Sequence, residues 1–156
     1  MKNIGIVILA ILLLVSCENS GKSKNTLDTP QISESDMEYF QNLVGDTVLF
    51  TVDQSGLRPD AISILKAQAD WLKEKKFLPI TVEGHADEQG TREYNLALGA
   101  RRATAVREFL IAKGIDPDRI SIVTYGKERP LRVCSNEDCW SKNRRATTVV
   151  GKKIVE

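Results

Sequence analysis

A single histidine, His85, is all the imidazole in this chain of 156 residues. The paired histidines of zinc-protease spacing are therefore excluded, and no activated nucleophile with a histidine base stands out in their place. Cysteine is nearly as scarce, with Cys17 near the N-terminus and Cys134 and Cys139 far downstream. A zinc site built on that pair would need two more ligands, and the sequence supplies no convincing ones. An excess of one charge is also missing, since the formal net charge is +1. Removing Lys2, the one charged residue before Cys17, leaves 21 basic against 21 acidic side chains. Such a chain has no general attraction for nucleic acid or anionic lipid, so its electrostatics must act locally. Internal repeats are absent. The one long apolar run, Ile4 to Ser16, is too short to cross a bilayer as a mature helix.

That run, preceded by Met1-Lys2-Asn3, reads as a secretory signal. Its end, Leu14-Val15-Ser16-Cys17, resembles a bacterial lipobox. By that resemblance residues 1–16 are removed and Cys17 becomes an acylated N-terminus, held stably by several acyl chains without spanning the membrane. Glu18 stands where an aspartate would retain a lipoprotein in the inner membrane, which favours the outer membrane. From Glu18 to about Ser35 the only large aliphatic residues are Leu27 and Ile32, too few to offset ordering entropy, and the stretch reads as a flexible tether. Met37, Tyr39, Phe40 and Leu43 follow, as a short helix or an extended edge, and the sequence leaves both open. The division is a signal at 1–16, lipidated Cys17 with its tether at 17–44, and one domain at 45–156, as the length allows.

Within the domain, Val48, Phe50 and Val52 alternate along a strand from Asp46 to Val52. Pro59 opens a helix in which Ile62, Leu65, Ala69 and Leu72 keep helical spacing as far as Lys73–Lys76. A second strand occupies Pro79 to Glu83, and Thr91 is a good N-cap for a central helix that ends at Lys113-Gly114. Strands over Arg119 to Tyr125 and Ala146 to Ile154 follow, separated by a loop with a short helix near Glu137 to Lys142. The order β-α-β-α-β-β predicts an α/β (α+β) sandwich with helices on one face of a mixed sheet. On the central helix Asn95, Leu98 and Arg102 share one face, expected to be free for binding, while Leu96, Gly99, Ala103, Val106 and Leu110 form the packing stripe. If the turn folds back, Asp87 and Arg102 flank one small cleft suited to a zwitterion, with ammonium on the carboxylate and carboxylate on the guanidinium. The helix start at Thr91 would add N–H donors, and Asn95 and Leu98 would line the pocket. His85 is expected to be structural and hydrogen-bonded in its turn, with Glu83 in a similar local role. In an exported protein Cys134 and Cys139 are most simply a local disulfide that stiffens the loop. The lysine runs at 73–76 and 152–153 read as solvated surface.

Gly84-His85-Ala86-Asp87, Gly90-Thr91, Tyr94-Asn95, Leu98-Gly99, Arg101-Arg102-Ala103 and Asn143-Arg144-Arg145 occur in that order between about Asp46 and Val150. Together they resemble the OmpA-like peptidoglycan-binding domain, whose strand and helix order agrees with the one read above. The resemblance implies that Asp87 and Arg102 hold the meso-diaminopimelate of the peptidoglycan stem peptide, with Phe50 and Asp53 near the same cleft, although Phe50 reads equally well as core. It implies that one arginine of Arg144 and Arg145 ties the last strand to the ligand loop by ion pairing. The lipid-anchored members imply a tether between outer membrane and cell wall, partnered by TolB and other Tol proteins and serving envelope integrity and division. Neither cofactor nor catalysis is implied. Two competitors stand beside this reading: a cell-wall hydrolase using His85, Asp87 and Glu88, and an OmpA-like protein-interaction scaffold that does not bind the wall.

Overall fold

The computed structural model describes residues 32–151; the expected signal, the lipidated Cys17 and most of the tether lie outside the described residues. The first element is helix α1 (Glu34–Tyr39), whose N-cap Ser33 accepts a hydrogen bond from the Asp36 amide. It continues through a wider π-helical turn, Phe40–Gly45. Of the two forms left open for this stretch, the helix is the one adopted, because Phe40 is fully buried against Trp71, with ring centroids 4.7 Å apart. Lys75 adds an ion pair to Asp36 at 2.8 Å.

Strand β1 (Thr47–Leu49) leads to α2 (Pro59–Glu74), where Pro59 takes the first helical turn and needs no N–H partner there. Strand β2 (Ile80–His85) then runs towards the long helix α3 (Arg92–Ala112). A 3-10 turn (Pro117–Arg119) precedes β3 (Ile120–Gly126), and α4 (Glu137–Asn143) precedes β4 (Arg145–Val150). The strands lie in the order β1-β4-β2-β3, with β2 and β3 parallel and the other pairs antiparallel. This is the mixed sheet and helical layer expected from the sequence. No helix among the described residues is long and apolar enough to cross a membrane.

Between sheet and helices, Leu65, Leu72, Val106 and Leu110 meet Val48, Phe50, Ile80 and Val82, all of them buried. Ile62, expected in the α2 stripe, is only half-buried, and Ala61 takes the inner position. Gln68 is buried on the same helix without penalty, because its side chain donates to the Gly45 carbonyl at 2.7 Å and accepts from the Thr148 hydroxyl at 2.9 Å. At the far end of α2, Arg119 donates to the carbonyls of Leu72, Lys75 and Leu78, supplying acceptors that the helix terminus leaves open with donors from another element. The first strand is shorter than the predicted Asp46 to Val52. Beyond Leu49 one more bond forms, from the Phe50 amide to the Arg144 carbonyl at 2.8 Å, and the chain then turns away through Asp53 at φ 56°.

Helix α3 crosses β2 at a pair of glycines. A Cβ on Gly84 would lie 1.9 Å from the Gly99 carbonyl oxygen, and one on Gly99 would lie 2.4 Å from the Thr124 hydroxyl. This contact fixes how close the start of α3 comes to the end of β2, and so holds the loop between them. Gly84→Ala should destabilise the protein by about 2 kcal/mol or more, as overpacking against backbone does. Gly56→Ala, where nothing lies within 4 Å of the added methyl, should change stability by less than about 1 kcal/mol. Urea unfolding of the two variants against the wild type checks the contrast.

Candidate functional site

The loop from Ala86 to Thr91 is set by its two ends. At one end the Gly126 carbonyl accepts from the Ala86 amide at 2.8 Å. At the other, the Thr91 hydroxyl caps α3 by accepting from the Tyr94 amide at 3.2 Å. Between them the Asp87 carboxylate accepts from the Gln89 amide at 3.1 Å, and Asn95 Nδ2 donates to the Gln89 carbonyl at 2.8 Å. Gly90 adopts φ 89°, in the left-handed region that favours glycine, and its carbonyl accepts from Lys127 Nζ at 2.7 Å. The result is an open cleft of about 280 Å³ lined by Val52, Asp53, Asp87, Gln89, Gly90, Tyr94, Asn95 and Leu98. Across its mouth the Tyr94 hydroxyl donates to the Asp53 carboxylate, a bond that raises the phenol pKa above its ordinary value.

Arg102 lies behind this cleft rather than in its lining. It is fully buried, with Nε donating to the Gln54 carbonyl at 2.9 Å, Nη1 to the His85 carbonyl at 2.8 Å and Nη2 to the Thr51 carbonyl at 3.1 Å. The guanidinium carbon stands 5.2 Å from the Phe50 ring centroid. Burial pulls the Arg102 pKa down to about 10, against the pull of Asp87, so the side chain remains a cation at neutral pH. The expectation of a free binding face on α3 is therefore corrected: Asn95, Leu98 and Arg102 are all buried, because the loops on either side close over them. A guanidinium carries five N–H donors, and three of these are committed to carbonyls. One N–H on each terminal nitrogen has no partner among the described residues.

Asp87 is paired with a different arginine. Its second carboxylate oxygen lies 3.2 Å from Nη1 of Arg144, and Arg144 is the residue that ties the last strand to the loop. Arg144 also donates to the Phe50 carbonyl at 3.2 Å and to both carboxylate oxygens of Glu137. Glu137 begins α4 beside Asn136, whose side chain caps that helix, and Cys134 and Cys139 are joined by a disulfide across the same turn. The Trp140 indole N–H donates to Glu88 at 3.1 Å, so α4 meets the cleft loop a second time.

Of the residues singled out in the sequence, Asp53, Asp87, Asn95 and Leu98 line the cleft. Thr91 is occupied by its cap, and Phe50 is core, 1% exposed beneath Arg102. Tyr94, Val52, Gln89 and Gly90 were not expected in the lining. Tyr94-Asn95 and Gly90-Thr91 were visible as motifs, but the approach of the loop after β1, which brings Val52 and Asp53 to the cleft, has no local signal. Glu137 carried none either.

His85 corrects a further expectation. Among the described residues neither ring nitrogen has a hydrogen-bond partner, although the residue is 2% exposed. The ring packs on Tyr125 with centroids 5.4 Å apart, and its Nε2 lies 3.7 Å from a Glu83 oxygen. Burial, with Arg145 and Arg129 nearby, pushes its pKa down to about 4. The histidine serves through its backbone, whose carbonyl holds Arg102.

A family model described as OmpA family matches residues 49–144. Among curated proteins, the peptidoglycan-associated lipoprotein of Mesorhizobium japonicum is 44% identical over 150 residues, covering 93% of this chain and 89% of the relative. The protein of the same name from Agrobacterium fabrum is 55% identical over 108 residues, covering 69% of this chain and 61% of the relative. The crystal structure of the peptidoglycan-associated lipoprotein from Burkholderia pseudomallei is similar with a TM-score of 0.69 and 35% identity, covering 72% of this chain and 98% of that one.

The lowered pKa of His85 has a consequence for stability. Above pH 6.5 the ring is neutral in both folded and unfolded chains. As pH falls from 6.5 towards 4 the unfolded chain takes up a proton that the folded one refuses, so stability declines, by about 3 kcal/mol at the lower end. Urea unfolding at pH 7 and pH 4 should show a smaller acid-induced loss in His85→Phe, which keeps a flat ring and cannot titrate. An equal loss in both proteins would contradict it.

Proposed function

The chain belongs to the OmpA family, and from that premise we propose that it is a non-catalytic tether, binding peptidoglycan without covalent change and held at the outer membrane by lipid on Cys17. The observation that carries the reading is the pairing of charges at the cleft: an Asp87 carboxylate in the wall, and the Arg102 cation buried directly behind it with two uncommitted N–H donors. A ligand end bearing both ammonium and carboxylate matches this arrangement, with ammonium on Asp87 and carboxylate towards Arg102. Meso-diaminopimelate of the stem peptide has such an end, since its free end bears both an amine and a carboxylate. The names of the Mesorhizobium japonicum and Agrobacterium fabrum relatives support the same class of ligand.

Affinity for one stem peptide need not be high. A lipid anchor keeps many copies beside a repetitive polymer, and rebinding then supplies the hold. By family resemblance the same protein works with TolB, in competition with peptidoglycan, and with other Tol proteins in envelope integrity and constriction at division.

Co-sedimentation of the full chain in detergent with diaminopimelate-type sacculi tests the reading. Asp87→Asn keeps the shape of the side chain and removes its charge, and should weaken sedimentation by about tenfold, the scale of a lost charge-assisted hydrogen bond. Arg102→Ala is a poorer probe, because it removes a donor from each of three carbonyls and so disturbs the fold along with the site. If the wild type stays in the supernatant, or Asp87→Asn sediments equally well, the scaffold reading replaces this one.

A further inference from the structure

Asp87 and Glu137 share a single guanidinium. Nη1 of Arg144 lies 3.2 Å from a carboxylate oxygen of each, and Nη2 donates to Glu137 as well. Arg144 is buried, with only 6% of its side chain exposed, whereas the Glu137 side chain is 63% exposed and does not line the cleft. Two carboxylates on one cation leave a net negative charge. Were Glu137 absent, Arg144 would neutralise Asp87 alone, and the cleft wall would lose its attraction for a cation while keeping its shape.

We propose that Glu137 is a positioning residue for ligand binding: it takes up the charge of Arg144 and thereby leaves Asp87 as the acceptor for the ligand's ammonium group. The Cys134–Cys139 disulfide belongs to the same device. It closes the turn that contains Glu137, with Cα atoms 5.6 Å apart, so that the carboxylate stays on Arg144 instead of moving into solvent. The sharing is mutual, since each group stabilises the charged form of the other: the Glu137 pKa is lowered chiefly by its bond to Arg144, and the Arg144 pKa is raised chiefly by Glu137. This inference rests on the zwitterion reading of the cleft and assigns it a control on the ammonium half alone.

The test is calorimetric titration of the full chain in detergent with two probes. One is the disaccharide tripeptide ending in meso-diaminopimelate, and the other is the same molecule with its free amine acetylated. Glu137→Gln can still accept hydrogen bonds from Arg144 and so preserves the geometry; it should weaken the amine-bearing probe about fivefold or more, the scale of one nearby charge at partial exposure, and leave the acetylated probe within about twofold. Glu137→Asp should recover part of the loss, and a Cys134→Ser, Cys139→Ser double variant should move in the same direction as Glu137→Gln. An equal loss for both probes, or none for the amine-bearing one, overturns the proposal while the wild-type affinity still upholds the site. A wild type that binds neither probe removes the wall-binding reading itself.

Discussion

The buried guanidinium of Arg102 is the constraint on which this end of the domain depends. It sits on α3 and donates to three carbonyls from two other segments: Thr51 and Gln54 after β1, and His85 at the end of β2. Those loops have few apolar residues with which to pack, and a rigid fork of donors replaces packing as the means of fixing them. Arg119 does similar work at the end of α2, where it joins three carbonyls of the segment leading to β2. The two residues differ in surroundings. Arg102 is fully buried beside the cleft, and two of its N–H donors have no partner among the described residues.

The rest of the site follows from how tightly α3 is seated. The contact of Gly84 with Gly99 brings the helix start against the strand end, and the six residues between them must then form a short polar loop. Asp87 lies in that loop at 8% exposure, where an unpaired carboxylate would be costly. Arg144 supplies its partner and is shared with Glu137. The wall of the cleft thus rests on a chain of three charged side chains drawn from the loop after β2, the start of α4 and the residue before β4, and the disulfide closes the turn that holds its outermost member.

Much of this architecture was legible in the sequence because it is carried by local signals. Pro59, Thr91 and Gly114 marked helix ends, alternation marked the strands, and the order of elements followed. Asp87 after a strand, and Asn95 and Leu98 one helical turn apart, were visible as neighbours, and they lie in the wall of one cleft. What escaped was decided by contacts distant along the chain. Whether Arg102 faces solvent or backbone depends on a loop some fifty residues earlier, and the helical pattern is the same in either case. His85 likewise looked like a residue in need of hydrogen bonds, and only the packing of Tyr125 and the nearby arginines shows an imidazole kept neutral without them. Glu137 stood in an acidic pair at a helix start, where a carboxylate is ordinary and gives no hint of its arginine.

Arg102 holds the loops through a buried guanidinium, and would meet the proposed ligand from behind the cleft. The most direct measurement is NMR of the arginine Nε–H signals of the full chain in detergent, assigned by comparison with Arg102→Lys, before and after addition of the diaminopimelate muropeptide. A slowly exchanging Arg102 Nε–H is expected in the free protein, and on addition a shift of that signal together with the amides of Asp87, Gln89 and Gly90. A rapidly exchanging Arg102 signal, or ligand shifts confined to a surface away from this loop, would contradict it.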